Sequence, residues 1–338
     1  DNFMSNWKIA VVGGGIIGCI SAIEIKKKGF DVTVFDQSTI GHGSSWAAGG
    51  ILFPLMPWDY LNKVYDLCKS SVQYYEQLSK DLINKTGIDP QLQESGLTII
   101  DPLNIDKIQK WCKQNNVEIS INKSSCKRKI VLKKIFQIRP PRLMSALRKY
   151  METIGINIIE NKKIISFEIN KAEIKSCTTS DSKVFMAEAF LLSSGAWTSS
   201  ILEEYKDNVF PVKGQMIQYP NTGQKLENIL YEDGFYLIPR KDGVLIAGST
   251  LEKVGFNSQE NIKNIDNLKK KAENIMPELK SIEIAKSWHG FRPGTIDNIP
   301  ITEKHKDYNN LFLNFGHHRY GIAMAPQSAR IITDLITM

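Results

Sequence analysis

The sequence predicts an α/β fold in which a βαβ-built domain is interrupted twice by a smaller, antiparallel β-rich one. Three observations predict it. Residues 8–36 read as strand, glycine turn, helix, strand and acid. Strand–helix signals return near 140–200 and again at 311–338. Runs with the character of antiparallel strands fill the gaps between them. At 338 residues the chain is also too long for one ordinary core. The segments divide into 1–80, 138–210 and 285–338 for the discontinuous domain, and 81–137 and 211–284 for the inserted one.

The first element is the apolar run Ile9–Val12, followed at once by Gly13, Gly15 and Gly18 in a G-x-G-x-x-G spacing. The first glycine permits the tight turn, the second lets backbone approach a pyrophosphate, and the third lets helix and strand pack closely. Phosphates then meet a helix N-terminus, where free N–H groups and the dipole favour anions. Ile16, Ile17, Ile20 and Ile23 support the helix; Lys26, Lys27 and Lys28 suit its negative end, and Gly29 stops it. Val32–Phe35 is the second strand. Asp36 follows it, an acid about 20 residues past the glycines, placed to hold the ribose hydroxyls of an adenosine. This context specifies a dinucleotide site and fits both NAD and FAD. The next segment, Gly41–Gly50, is a loop of small residues that can run along a large ligand and donate N–H and hydroxyl bonds. Trp46 and the apolar Ile51-Leu52-Phe53 argue against a solvated tether, and the loop favours FAD.

Leu61, Val64, Tyr65, Cys68, Val72, Tyr75, Leu78 and Leu82 recur at helical spacing and end at Gly87, a packing stripe. Leu97–Ile100 reads as a strand, Ile105–Gln114 as a helix, and Pro140–Ile154 as a helix with Pro141 in its first turn and Gly155 as its stop. Strands follow at Ile156–Glu160, Ile164–Ile169, Glu173–Thr178 and Val184–Ala187. Ala189–Ser193, apolar up to its final serine, is a strand buried on both faces, and it leads into Ser194-Gly195-Ala196-Trp197. Gln215–Tyr219, Gly234–Pro239 and Val244–Gly248 read as antiparallel strands, with Asp242-Gly243 a hairpin turn. A helix over Ile262–Ile275 ends at Pro277. Leu311–Asn314 is a strand, Gly316–Gly321 a turn, and a last helix begins near Ala325.

Composition is that of a globular protein, 42% apolar and 23% charged. No apolar run approaches the roughly 18–20 residues that span a bilayer. Asp1–Lys8 shows no signal peptide, and Asp1-Asn2-Phe3 before Met4 reads as a leader left by expression. The five cysteines, at 19, 68, 112, 126 and 177, are scattered without C-x-x-C spacing. They imply neither a disulfide framework nor a metal site, and they fit a reducing cytoplasm. The net charge of +7 is spread over dispersed lysines, densest at Lys123–Lys134, a solvated surface rather than a nucleic-acid stripe. Only eight basic residues are arginine (128, 139, 142, 148, 240, 292, 319 and 330), so each one in an apolar segment stands out.

Seven segments in order carry a family resemblance: GGGIIG at 13–18, GSSWAAGGILFPLMPWDY at 43–60, SSGAW at 193–197, PVKGQM at 211–216, FYLIPRKDGVLIAGSTLEKVGF at 235–256, WHGFRPGTIDNIP at 288–300 and GHHRYGIAMAP at 316–326. The chain resembles the D-amino-acid-oxidase-like FAD amine oxidases, and most closely the bacterial glycine oxidases of thiamine biosynthesis. The resemblance implies an FAD-binding, Rossmann-like domain of the glutathione-reductase type with an antiparallel β-rich substrate domain. It implies non-covalent FAD in an extended pose, oxidation of an amine beside a carboxylate, dioxygen as acceptor, and hydrogen peroxide as by-product. It also implies thiazole synthase as a partner that takes the imine. A homo-oligomer is compatible with it.

Carried over residue by residue, Arg292 in FRPG resembles the arginine that clamps the substrate carboxylate, and Tyr236 in FYLIP resembles a tyrosine that helps it. Arg319 resembles a second positive group near the substrate. Independently of the resemblance, a guanidinium suits bidentate carboxylate binding and stays charged when buried. The alternatives are a structural salt bridge for Arg292 and a core tyrosine for Tyr236. His289 either reaches the cleft or is a satisfied half-buried histidine. The cofactor residues are Gly13, Gly15, Ile16, Ile17, Gly18, Asp36 and Gln37; Gly43, Ser44, Ser45, Ala48, Gly49 and Gly50; Ser194, Gly195 and Trp197; and Gly290, Arg292, His317, Arg319, Tyr320, Gly321 and Ile322. The last helix aims its N-terminus at the flavin pyrimidine in the family. Two positions depart from the family pattern: His318 stands where an aromatic is common, and Tyr320 where Asn is common. The rival readings are a D-amino-acid dehydrogenase of the same fold and a tRNA wobble-base-modifying FAD oxidoreductase.

Overall fold

Lys8–Val12 pairs in parallel with Asp31–Phe35 on one side and with Ala189–Leu192 on the other. In this computed structural model, residues 7–122, 127–221, 223 and 226–338 are described. The segment Asp1–Met4, Lys123 of the basic knot and Cys126 lie outside the described residues. Asn157–Ile159 and Leu311–Phe315 extend the parallel sheet at either side, and Ile301–Lys304 closes one edge antiparallel, making six strands.

Alternation along the central strand sorts the layers. Ile9 and Val11 face a helical layer built from Ile16–Lys27, Ser71–Thr86, Pro140–Thr153 and Gly321–Thr337. Ala10 and Val12 face the other way, onto a three-stranded sheet of Ile164–Asn170, Glu173–Thr179 and Val184–Met186. A strand period of two turns successive side chains to opposite faces, so one apolar run serves both layers.

An eight-stranded sheet stands against this body. Its order is Lys286–Gly294, Phe210–Tyr219, Leu245–Gly248, Phe235–Pro239, Ile229–Glu232, Leu97–Ile100, Lys129–Leu132 and Ile119–Asn122. Met216, Tyr236, Ile238 and Ile246 look toward the βαβ body, while Ile217, Leu237, Leu245 and Ala247 lie under the helix Ile262–Ile275. Among the described residues, no helix is long and apolar enough to cross a membrane.

Four features differ from the sequence reading. The stripe at 61–82 forms two helices, Asn62–Cys68 and Ser71–Thr86, and Leu61 caps the first at 61% exposure instead of joining the core. The small-residue loop contains a helical turn at Ser44–Ala47. Residues 286–294, grouped by sequence with the dinucleotide unit, form an edge strand of the eight-stranded sheet, paired throughout with 210–218. The last helix starts at Gly321, a turn earlier than Ala325, despite Pro326 inside it. Proline at that position cannot donate to the carbonyl four residues back. The hydroxyl of the fully buried Tyr75 donates to that carbonyl, Ile322 O, at 2.8 Å, so the broken rung is satisfied.

Candidate functional site

The glycine turn is held from several sides. Gly13 N–H donates to Phe35 O at 2.8 Å, and its φ of +108° is open only to glycine without strain. Gly14 N–H donates to Asp36 Oδ2 at 2.8 Å, and Ile16 N–H to Ser45 Oγ at 2.8 Å. A side chain on Gly18 would overlap the Gly13 carbonyl, so this glycine packs helix against turn and lies behind the cavity wall. Gly15 is different. Only Ser45 Oγ, at 3.2 Å, lies near where its Cβ would stand, and the residue faces open space.

Two adjoining cavities meet at this turn. The first is lined by Gly13, Asp36, Gln37, Gly43, Ser194 and Trp197, with Lys162, Lys163 and His289 added. His289 thus reaches a cleft, half-buried and edge-on to Phe291 at 5.5 Å. The second is lined by Ile16, Ile17, Ala48, Gly49, Gly50, Arg292, Tyr236 and the turn and helix start His317–Ile322. Gly15, Ser44, Ser45, Gly195 and Gly290 line both. The shape fits an extended dinucleotide. A glycine-walled passage crosses the N-terminus of the helix beginning at Ile16, whose first N–H is taken by Ser45 Oγ, and Asp36 stands at the far end.

The second cavity is basic. No Asp or Glu lines it, whereas Arg292 and Arg319 do. Arg292 sits on the strand Lys286–Gly294 opposite Val212. Its Nη2 donates to Ser249 Oγ at 2.7 Å and its Nη1 to Thr250 O at 3.2 Å, leaving other N–H groups for a ligand. Burial, with Arg319 nearby, pulls Arg292 below the usual guanidinium range while Tyr236 opposes it. The group remains a cation. Among the described residues Arg319 has no hydrogen-bond or ion-pair partner; burial works against its charge, but the phenols of Tyr320, Tyr236, Tyr60 and Tyr231 outweigh that and hold it up. Tyr320 OH meets Tyr60 OH at 3.0 Å and Leu55 O at 3.1 Å, which fixes that wall.

Behind Arg292 stands a polar brace that the sequence reading missed. Thr250 Oγ1 donates to Glu252 Oε1 at 2.5 Å and accepts from Gln215 N–H at 2.8 Å; Gln215 Nε2 donates to the same carboxylate oxygen at 3.0 Å. Gly214 was also missed as a site residue, although it stands inside the quoted PVKGQM. A Cβ there would overlap the Arg292 guanidinium. An isolated glycine inside a strand is the available signal for such close approach. Arg240, conspicuous as an arginine in an apolar run, is buried and donates to Gly49 O at 2.8 Å and Gln137 Oε1 at 2.6 Å. It ties the small-residue loop to the eight-stranded sheet, as does Trp288 Nε1, donating to Ala47 O at 3.1 Å.

His317 and His318 are both neutral. Burial pushes His317 down to about 3, and its Nε2 meets Ser328 Oγ at 3.0 Å, joining the turn to the last helix. Burial, then Arg292 and Arg319, push His318 down to about 3 as well. The unfolded chain takes up both protons near pH 6.5 while the folded one does not, so their stabilising contribution is complete above 6.5 and drains away as the pH falls toward 3. Denaturant unfolding of the wild type should therefore lose more stability across that window than unfolding of His318→Phe; equal slopes would contradict a neutral His318.

The family model described as "DAO: FAD dependent oxidoreductase" matches residues 8–335. A protein named glycine oxidase in Pseudomonas putida is 33% identical, over 98% of this chain and 94% of its own length. In Synechocystis sp., a protein named bifunctional protein ThiO/ThiG is 30% identical over 97% of this chain but only 51% of its own length. The crystal structure of glycine oxidase from Geobacillus kaustophilus superposes with a TM-score of 0.91 at 24% identity, covering 98% of this chain and 95% of that one.

Proposed function

This chain belongs to the DAO family of FAD dependent oxidoreductases, and we propose that it oxidises glycine, or an amino acid nearly as small, with dioxygen as the electron acceptor. Glycine, dioxygen and water would yield glyoxylate, ammonia and hydrogen peroxide. The observation that carries the reading is Arg292, half-buried in the wall of a cavity that no acidic side chain lines and that the glycine turn also borders.

When bound, FAD supplies the two-electron acceptor. Gly15, Ser44, Ser45, Gly195 and Gly290 would hold it across both cavities, with Asp36 serving the adenosine end. The protein's own contribution is placement and charge. Arg292 binds the carboxylate, Tyr236 lines the same wall, and Arg319 adds positive potential. Orientation of this kind lowers the barrier without a general base. The N-terminus of Gly321–Thr337, where the N-cap Tyr320 makes no side-chain capping bond, adds a positive helix end to the cavity.

Purified protein should be yellow, and acid precipitation should release all of its flavin. Glycine added without oxygen or RNA should bleach it; air should then restore the colour and yield peroxide. Bleaching only by tRNA carrying the modified base would favour the tRNA enzyme. Re-oxidation slow in air but fast with a quinone would favour the dehydrogenase.

Gly214→Ala tests the clamp from beneath. The added methyl displaces the Arg292 guanidinium, so kcat/KM for glycine should fall at least tenfold, roughly the 1.4 kcal/mol of one decade, while flavin content holds. Unchanged kinetics would show that the guanidinium position is not needed.

The relative named bifunctional protein ThiO/ThiG supports a partner as well. We propose thiazole synthase as the consumer of the glycine-derived imine. A cytoplasmic setting fits Cys19, Cys68, Cys112 and Cys177, all free and buried.

A further inference from the structure

Among the described residues, no Asp or Glu forms an ion pair with Arg292; the guanidinium donates to Ser249 Oγ and Thr250 O. An acid paired directly with it would occupy the N–H groups that a substrate carboxylate needs. The negative charge stands further back instead. Glu252 lines neither cavity, but its Oε1 receives the Thr250 hydroxyl at 2.5 Å and the Gln215 amide at 3.0 Å. Burial works against the Arg292 charge, and Glu252 is among the groups that favour it.

The network runs in one direction. A carboxylate only accepts, and a backbone N–H only donates. Asn261 N–H donates to Gln215 Oε1 at 2.8 Å, so Gln215 turns its NH2 toward Glu252. Gln215 N–H donates to Thr250 Oγ1 at 2.8 Å, so the Thr250 hydroxyl is left to donate to Glu252. Thr250 Oγ1 is thus gripped from two sides. The backbone of Glu252 is pinned as well, its N–H and C=O pairing with Lys213 at 2.9 and 3.0 Å. The next residue along that strand is Gly214, where a Cβ would overlap the Arg292 guanidinium. The guanidinium therefore rests directly on backbone, and its acceptors at 249 and 250 set its aim.

We propose that Glu252 is a positioning residue for the carboxylate clamp. It holds Thr250 through the hydroxyl; the Thr250 carbonyl and the adjoining Ser249 hydroxyl hold Arg292; the substrate meets only the last member of that chain. The proposal rests on Arg292 being the carboxylate clamp. No proton or electron moves along the network. Its effect falls on carboxylate binding and not on the oxidation that follows.

The test compares flavin-loaded Glu252→Ala, Glu252→Gln and Thr250→Val with wild type. Glycine is followed by steady-state kinetics, and acetate, a carboxylate without an amine, by perturbation of the flavin spectrum. Glu252→Ala should raise KM for glycine and Kd for acetate together, roughly three- to tenfold, the worth of one net hydrogen bond. Its kcat and flavin content should stay near wild type. Glu252→Gln keeps an acceptor oxygen and should recover most of the loss. Thr250→Val removes only the hydroxyl end of the contact and should reproduce the loss, even where Glu252→Ala fails to fold. Added to Arg292→Ala, the Glu252→Ala change should lower kcat/KM for glycine no further, because no guanidinium is left to aim. The proposal is overturned by an equal fractional loss in both backgrounds, by a fall in kcat at unchanged KM, by Glu252→Gln no better than Glu252→Ala, or by wild-type behaviour of Thr250→Val. Acetate keeps the two claims apart. If Arg292→Ala binds it as wild type does, the clamp itself is wrong; if Arg292→Ala loses it while Glu252→Ala and Thr250→Val bind it normally, only the role of Glu252 fails.

Discussion

Arg292→Ala is expected to lower kcat/KM for glycine about 30- to several-thousand-fold while flavin content stays near wild type. The loss follows from leaving a carboxylate in a cavity without its buried partner, a cost of roughly 2–5 kcal/mol at about 1.4 kcal/mol per decade. Arg319 cannot replace it, because it stands among the phenols of Tyr60, Tyr231, Tyr236 and Tyr320 without the Ser249 and Thr250 contacts that aim Arg292. Arg292→Lys should recover only part of the activity, since an ammonium cannot reproduce the planar fork. Purified variants assayed for flavin absorbance and steady-state kinetics decide it. Loss of flavin in Arg292→Ala, or a wild-type KM for glycine, would make the residue structural.

Gly15→Val should give folded but colourless protein. Gly15 is the fingerprint glycine that borders both cavities, and only Ser45 Oγ lies near its missing Cβ. The valine meets no protein atom within 4 Å of its Cβ except Ser45 Oγ, which must give by a few tenths of an ångström, and it intrudes on the ligand, where backbone must approach a pyrophosphate. Gly18 makes the contrast: a side chain there would meet the Gly13 carbonyl, so substitution damages the turn itself. Flavin absorbance and thermal unfolding measured on the same sample separate the two effects. A yellow Gly15→Val protein would show that the dinucleotide does not cross this turn.

The sequence was most legible where local and tertiary preferences coincide. Lys8–Asp36 combines an apolar strand, spaced glycines and a lysine-ended helix, and each signal points to the same element. Ile105–Gln114 and Ile262–Ile275 were legible because an apolar stripe at helical spacing meets a clear stop. Lys286–Gly294 was illegible as a strand: KSWHGFRPG has no alternation and carries two glycines and a proline, and its pairing with 210–218 is a tertiary matter. The small-residue run 41–50 hid a helical turn because glycine and serine carry little periodicity. At the site, Arg292, Tyr236 and Arg319 could be picked out through family resemblance. Their supports could not, since Thr250, Glu252 and Gln215 become a brace only when two distant segments lie side by side.

The eight-stranded sheet is stitched from three separate passes of the chain. Ile229 pairs with Leu97, and Arg292 arrives on a strand that docks still later along the sequence. Pairings this distant form slowly, because the long intervening chain must be closed first. On the ribosome the phosphate-binding turn emerges well before the arginine strand and the closing helix Gly321–Thr337. A nascent chain therefore carries the glycine turn long before it owns the strand that bears Arg292. The same order has a hazard. Tyr320, Ala323 and Met324 belong to the same apolar cluster as Ile238 and Ile246, so that cluster stays incomplete until the last helix docks, the interval in which the growing protein is most exposed to aggregation.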